Sequence, residues 1–127
     1  MSAISRSIPF FIAIAAMAQP YLNLDFEVAL GARPRIWGIP TTPHEYALDS
    51  QTTHSGAQSL RIRSLTTPAT TLGVASQLFP IDLVRGKRVR VSGWIKTESV
   101  NGYAAIWWRV DGPSGFITLD NMSAAQR

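Results

Sequence analysis

Hydrophobic and polar residues alternate in short runs along the chain after residue 20, with almost no helical spacing. The runs are rich in Val, Ile, Thr and aromatic residues and are separated by Gly, Pro, Asn and Asp, which is typical of all-β sandwiches and barrels. The pattern predicts strands near residues 45–48, 59–64, 72–80, 87–97, 103–111 and 116–121, with a further extended segment near 22–28. Residues 31–44 are predicted to form a long loop because they hold three of the eight prolines.

Two turn sequences set the register of the last three predicted strands. Asn101 and Gly102 favour a type I′ turn, because both central positions of that turn need positive φ. The pairs that this turn would place opposite each other are Lys96 with Trp107, Ile95 with Trp108, and Trp94 with Arg109. The four-residue loop GPSG follows, and it would pair Asp111 with Phe116, Arg109 with Thr118, and Trp107 with Asp120.

The predicted register divides the side chains between two faces of a sheet, because residues directly opposite each other share a face. One face is apolar and consists of Val91, Gly93, Ile95, Ile106, Trp108, Val110, Ile117 and Leu119. The other mixes aromatic and charged groups and consists of Trp94, Lys96, Trp107, Arg109, Asp111, Phe116, Thr118 and Asp120. We therefore expect Trp108 in the core and Trp107 on the mixed face.

The mixed face predicts a binding surface for a sugar-like ligand. The indoles of Trp94 and Trp107 would stack on pyranose rings, and Lys96, Arg109 and Asp120 would hydrogen-bond to the hydroxyls. The same residues also fit a ladder of cross-strand cation–π pairs, which would stabilise the sheet and bind nothing. A third interpretation is that this face packs against another domain.

The beginning of the chain has the pattern of an export signal. A basic start, a short apolar run and the small residues around Met17 predict a signal peptide over residues 1–18 and a working domain over 19–127. The apolar run is too short to span a membrane, so we expect a secreted or periplasmic protein with no transmembrane segment. The chain has no cysteine, which excludes a disulfide framework.

Charge and motifs argue against nucleic-acid binding and against catalysis. The net charge is +4, and a dense group of cations lies within residues 85–90, which fits either a solvated strand edge or an anion-binding patch. No helix-turn-helix or zinc-finger pattern accompanies it. His44 and His54 lack metal-protease spacing, and GPSG does not fit the nucleophile elbow, so we expect no enzymatic activity.

Three strings resemble a known family: NLDFE at residues 23–27, HSGAQSLRI at 54–62 and GKRVRVSGWIKTE at 86–98. They resemble a carbohydrate-binding-module-like jelly roll of the galactose-binding-domain type. With GYAAIWWRVDGP and LDNM added, the chain is similar to the N-terminal accessory domain of exported tail-specific-type serine peptidases and erythromycin-esterase-like proteins. The resemblance covers most of residues 22–122.

The resemblance implies an all-β, jelly-roll-like antiparallel β-sandwich. Six or seven strands are predicted where a jelly roll has eight, so we expect a truncated domain that lacks its final strands. The implied function is a non-catalytic binding module for carbohydrate or a cell-envelope ligand. The alternative is a structural accessory domain that docks on a peptidase or esterase domain absent from this chain. Glu27 matches an acidic ligand of the structural calcium ion that the broad family often holds.

Overall fold

A computed structural model describes residues 22–123 of the chain. The predicted signal peptide, residues 1–18, lies outside the described residues. The strands are β1 (Ala29–Leu30), β2 (Arg33–Pro34), β3 (His44–Asp49), β4 (Ser59–Ser64), β5 (Trp108–Gly112) and β6 (Gly115–Asp120), with one 3₁₀ turn at Ile81–Leu83. The all-β prediction is therefore confirmed, and the sandwich arrangement stays a prediction.

The six strands form three two-stranded antiparallel sheets, β1–β2, β3–β4 and β5–β6. β4 has the predicted bounds, and β3 extends the predicted strand 45–48 by one residue at each end. In the segment 72–80 the described structure has no regular strand. A single bridge instead joins Ser76 to Gly38, with backbone hydrogen bonds of 2.6 and 3.0 Å.

No strand is present over residues 87–97, so the predicted pairings of that segment with 103–111 are wrong. The turn geometry explains this difference. Positive φ occurs at Gly102 (104°) and at Ser99 (51°), whereas Asn101 does not adopt it. Because a type I′ turn needs positive φ at both 101 and 102, the predicted hairpin does not form.

The β5–β6 hairpin contains an irregularity that the sequence does not predict. Asp111 pairs with Phe116, as predicted, but the register shifts between Val110 and Asp111. Ile117 is left without a partner, so Arg109 pairs with Leu119 and Trp108 pairs with Asp120. This is the geometry of a β-bulge, which moves one residue of a strand out of register and bends that strand.

Tyr46 on β3 is the centre of the small apolar core and is only 6% exposed. Its hydroxyl accepts a hydrogen bond from the Val74 backbone N–H at 3.1 Å and lies 3.1 Å from the hydroxyl of Thr42. Gly73 lies so close to Ile62 and His44 that a Cβ there would overlap both side chains. These contacts hold the segment that contains the Gly38–Ser76 bridge against the β3–β4 sheet.

Among residues 22–123, Asn23 is the most buried polar residue, and it organises the N-terminal loop. Its Nδ2 donates to the carbonyls of Val28 and Arg35 at 2.8 and 3.0 Å, and its Oδ1 accepts from the Val28 N–H at 3.1 Å. Its backbone carbonyl accepts from the Trp37 indole at 2.6 Å, and its backbone N–H donates to Gln77 Oε1. Asn23 therefore fixes the ends of the β1–β2 hairpin and ties this loop to the segment around residue 77.

Candidate ligand-binding surfaces

The five predicted ligand residues fall into separate groups because the strand that would have joined them is absent. Trp94 and Lys96 lie on the irregular segment that precedes residue 99, and Arg109 and Asp120 lie on β5 and β6. Trp107 comes directly before β5. The structure therefore contains two candidate surfaces, one around Trp94 and one around Trp107.

Trp94 presents a broad indole surface to solvent. Its side chain is 79% exposed and stacks on His54, with ring centroids 4.1 Å apart and planes inclined by 11°. His54 lies in the connection between β3 and β4, so the stack joins two distant parts of the chain. One indole face is thereby covered and its orientation is restricted, while the rest of the ring remains available to a ligand.

Charged groups at the end of β3 lie near the Trp94 segment. Backbone N–H groups of Gln51 and Thr52 bond Asp49 and hold its pKa below the ordinary value, with smaller contributions from Arg61 and Lys96. The ammonium group of Lys96, another predicted ligand residue, therefore acts electrostatically on this loop. Stacking and charged groups therefore occur together around the β3–β4 connection.

A row of ion pairs runs along the β3–β4 sheet beside that connection. Glu45 binds Arg63 at 2.6 Å and Arg61 at 2.8 Å, and Arg61 also lies 3.6 Å from Asp49. The hydrogen bond from Arg63, followed by that from Arg61, lowers the pKa of Glu45. These arginines are thus held by carboxylates on the same sheet.

Arg109 binds within its own hairpin. Its guanidinium forms hydrogen bonds of 2.8–3.0 Å with Asp111, and these bonds raise the pKa of Arg109. The same guanidinium lies 5.5 Å from the centre of the Phe116 ring. A cation–π contact of the kind considered for this face therefore exists, but its aromatic partner is Phe116 and not Trp94.

The second surface is a concavity of about 190 Å³ beside the β5–β6 hairpin. Its lining residues come from three segments and are Val89, Val91, Ile106, Trp107, Trp108, Asp120 and Met122. Trp107 is 36% exposed, whereas Trp108 is half-buried with its ring centroid 5.5 Å from that of Phe79. Trp107 and Asp120, both predicted as ligand residues, are brought together here.

Glu27 binds backbone N–H groups of the HSG turn. Its Oε1 accepts from the N–H groups of Ala57 and Gln58 at 2.8 and 3.2 Å, and its carboxylate lies where a side chain at Gly56 would be. A calcium ion needs several oxygen ligands, yet this oxygen is oriented toward donors. Within residues 22–123 no cluster of three or more His, Cys, Asp or Glu side chains forms a metal site. The calcium site stays a prediction.

His54, Val89 and Met122 contribute to these surfaces but were not predicted as site residues. The sequence marks His54 only as part of a turn, and nothing in a spacing of forty residues pairs it with Trp94. Val89 and Met122 lie in strings that carry the family resemblance, but those strings do not mark them as site residues. Only the three-dimensional arrangement identifies them.

Comparison with known proteins gives one informative relative. The chain is 33% identical over 81 residues to an uncharacterised HTH-type transcriptional regulator, YbfP, of Bacillus subtilis (strain 168). The match covers 62% of this chain and 28% of the regulator, so the chain spans well under half of that protein. No family model and no solved structure matches the chain. Among residues 22–123, no helix is long and apolar enough to cross a membrane.

Proposed function

We propose that this protein is a non-catalytic binding module of an exported protein and that it recognises a carbohydrate or a related cell-envelope ligand. The observation that carries the proposal is the Trp94 indole, 79% exposed and stacked on His54 at 4.1 Å. An isolated exposed tryptophan has no fixed orientation, whereas a stacked one forms a flat platform of the kind on which sugar rings pack. Lys96 follows Trp94 by two residues, and Asp49 ends the strand that precedes the His54 connection, so charged groups of both signs occur in the same region.

The similarity to the HTH-type regulator does not favour DNA binding by this chain. A helix-turn-helix requires two α-helices, and the described part of the chain contains only a three-residue 3₁₀ turn. We therefore propose that the shared region corresponds to a part of the regulator other than its DNA-reading unit.

The proposal is tested by affinity electrophoresis of the purified protein in gels that contain soluble polysaccharides or solubilised cell-wall glycan. We expect Trp94→Ala to weaken retardation at least about tenfold, which corresponds to about 1.4 kcal/mol. His54→Ala should have a smaller effect, because it removes the support and leaves the platform. The control is Leu78→Ala, which alters a 95% exposed apolar side chain outside both surfaces. Equal retardation of Trp94→Ala and the control would refute the role of Trp94.

The second candidate function is an accessory domain that docks on a peptidase or esterase domain. The observation that favours it is β6, all of whose residues are exposed, including Phe116 (61%) and Ile117 (62%). Apolar side chains grouped on one exposed strand often mark an interface. Failure of every glycan to retard the protein, together with saturable binding to a catalytic domain of the implied class, would favour docking over glycan recognition.

A further inference from the structure

The concavity beside the β5–β6 hairpin combines apolar walls with one carboxylate. Six of its lining residues are apolar or aromatic, and Asp120 is the single ionisable residue among them. Its volume of about 190 Å³ is below the ~300 Å³ at which pockets for drug-sized ligands begin. The space suits a small ligand or the head group of a larger one.

The carboxylate of Asp120 is only partly satisfied by the protein. Its Oδ1 accepts a hydrogen bond from the Met122 N–H at 2.9 Å. Within residues 22–123, no lysine or arginine forms a salt bridge with it, and the nearby Arg109 is bound to Asp111. Asp120 is exposed, and its negative charge attracts a cation that can pack against the apolar walls beside it.

The walls also favour a cation. Trp107 and Trp108 belong to the side-chain type whose ring face attracts cations most strongly, and such contacts strengthen when water is excluded. A sugar would need several donors and acceptors around its hydroxyls, and the lining offers one carboxylate. A metal ion would need further oxygen or nitrogen ligands, and the described residues form no such cluster.

We infer that this concavity binds a small organic ammonium ion of the alkylated type, such as choline. The ammonium carbons pack against Trp107, Trp108 and the valine side chains, and the charge lies close to Asp120. The cationic side chains of Arg88 and Arg90 alternate with Val89 and Val91 and do not line the concavity. This site is separate from the Trp94 surface, and the inference does not depend on glycan binding there.

The test is a titration of the full chain with choline, in which binding is monitored through the NMR signals of the indole Nε1–H groups. The reference ligand is 3,3-dimethylbutan-1-ol, which has the shape of choline without its charge. We expect choline to bind at least about tenfold more tightly than the neutral alcohol, since charge is the main difference between them. Equal binding of the two ligands, or tighter binding of glucose than of choline, would overturn the inference.

Matched variants locate the binding. Asp120→Asn keeps an oxygen that can accept the Met122 N–H but removes the charge, and we expect at least a tenfold loss of choline affinity. Asp111→Asn removes the same charge from a 50% exposed carboxylate of the same hairpin, and we expect less than a twofold change. Trp107→Leu should weaken binding about fivefold, whereas Trp94→Ala should leave it unchanged. An Asp120→Asn variant that binds choline as the unchanged protein does would also overturn the inference, provided that its circular-dichroism spectrum shows a folded chain.

Discussion

Replacing Asn23 by alanine should destabilise the fold more than any other polar substitution in the N-terminal loop. The side chain is 1% exposed and makes three hydrogen bonds, to the N–H and carbonyl of Val28 and to the carbonyl of Arg35. Each such bond contributes about 0.5–1.5 kcal/mol net, and a buried group left unpaired costs about 1–3 kcal/mol. Because Val28 is only partly buried and Arg35 is exposed, water compensates part of the loss. We expect a total of about 2–4 kcal/mol.

This magnitude is large relative to the stability of a small domain, which is typically about 5–15 kcal/mol. The free energy of unfolding can be measured by urea titration, with tryptophan fluorescence as the signal. With a slope of about 1–3 kcal/mol per molar urea, a loss of about 3 kcal/mol moves the midpoint by about 1–3 M. Asn121→Ala is the control, because Asn121 makes a single local bond of 3.1 Å to the Ser123 N–H.

A second variant separates the hydrogen-bond argument from simple loss of packing. Asn23→Asp keeps the oxygen that accepts from Val28 and places another oxygen opposite the two carbonyls that Nδ2 now binds. We expect it to be at least as destabilising as Asn23→Ala at neutral pH and to recover partly in acid, where the carboxyl is protonated and can donate. A midpoint for Asn23→Ala within experimental error of the Asn121→Ala value would refute the reasoning.

Two further predictions concern the β3–β4 region. Gly56→Ala should destabilise the protein by at least about 1–2 kcal/mol, because Gly56 has φ of +70° and a Cβ there would overlap Glu27. The control is Gly31→Ala, which has φ of +62° with open space around it and therefore measures the cost of φ alone. Equal urea midpoints for the two variants would contradict the predicted overlap. Glu45→Gln should lower stability at neutral pH, because bonding to Arg63 lowers the pKa of Glu45 from its ordinary value of 4.5. The stabilising contribution of the carboxylate is therefore present above pH 4.5 and is lost as the pH falls toward the lower pKa of the folded state. A stability difference between the two proteins that does not shrink between pH 6 and pH 3 in thermal melts would contradict this prediction.

The parts of the fold that could be predicted from sequence are those in which alternation and local turn agree. β3 and β4 alternate clearly, are joined by a connection of nine residues, and both appear at the predicted positions. The pairing of Asp111 with Phe116 follows from the adjacent GPSG loop in the same way. Local information is sufficient for these elements because their hydrogen-bond partners lie nearby in sequence.

Segment 87–97 could not be predicted in this manner. Its alternation is as regular as that of β4, but formation of its hairpin depends on the backbone of Asn101, which does not take the positive φ that the turn requires. Trp94 and Lys96 therefore lie outside any hairpin, because the turn that the sequence favours does not form. Trp94 is not part of a strand and lies against His54. The two residues are forty positions apart, and no sequence pattern encodes their contact.

The bulge at Ile117 determines the composition of the concavity. Without it, the pairing set by the GPSG loop would continue, so that Trp107 would lie opposite Asp120 and Trp108 would point to the other face. The shift between Val110 and Asp111 makes Trp108 the partner of Asp120 instead, while Trp107, outside the strand, still reaches the same space. Two indoles and one carboxylate therefore share one concavity because a single residue is unpaired. Deletion of Ile117 would remove the unpaired residue but keep Trp108 opposite Asp120, so choline binding should survive this deletion if the hairpin still folds.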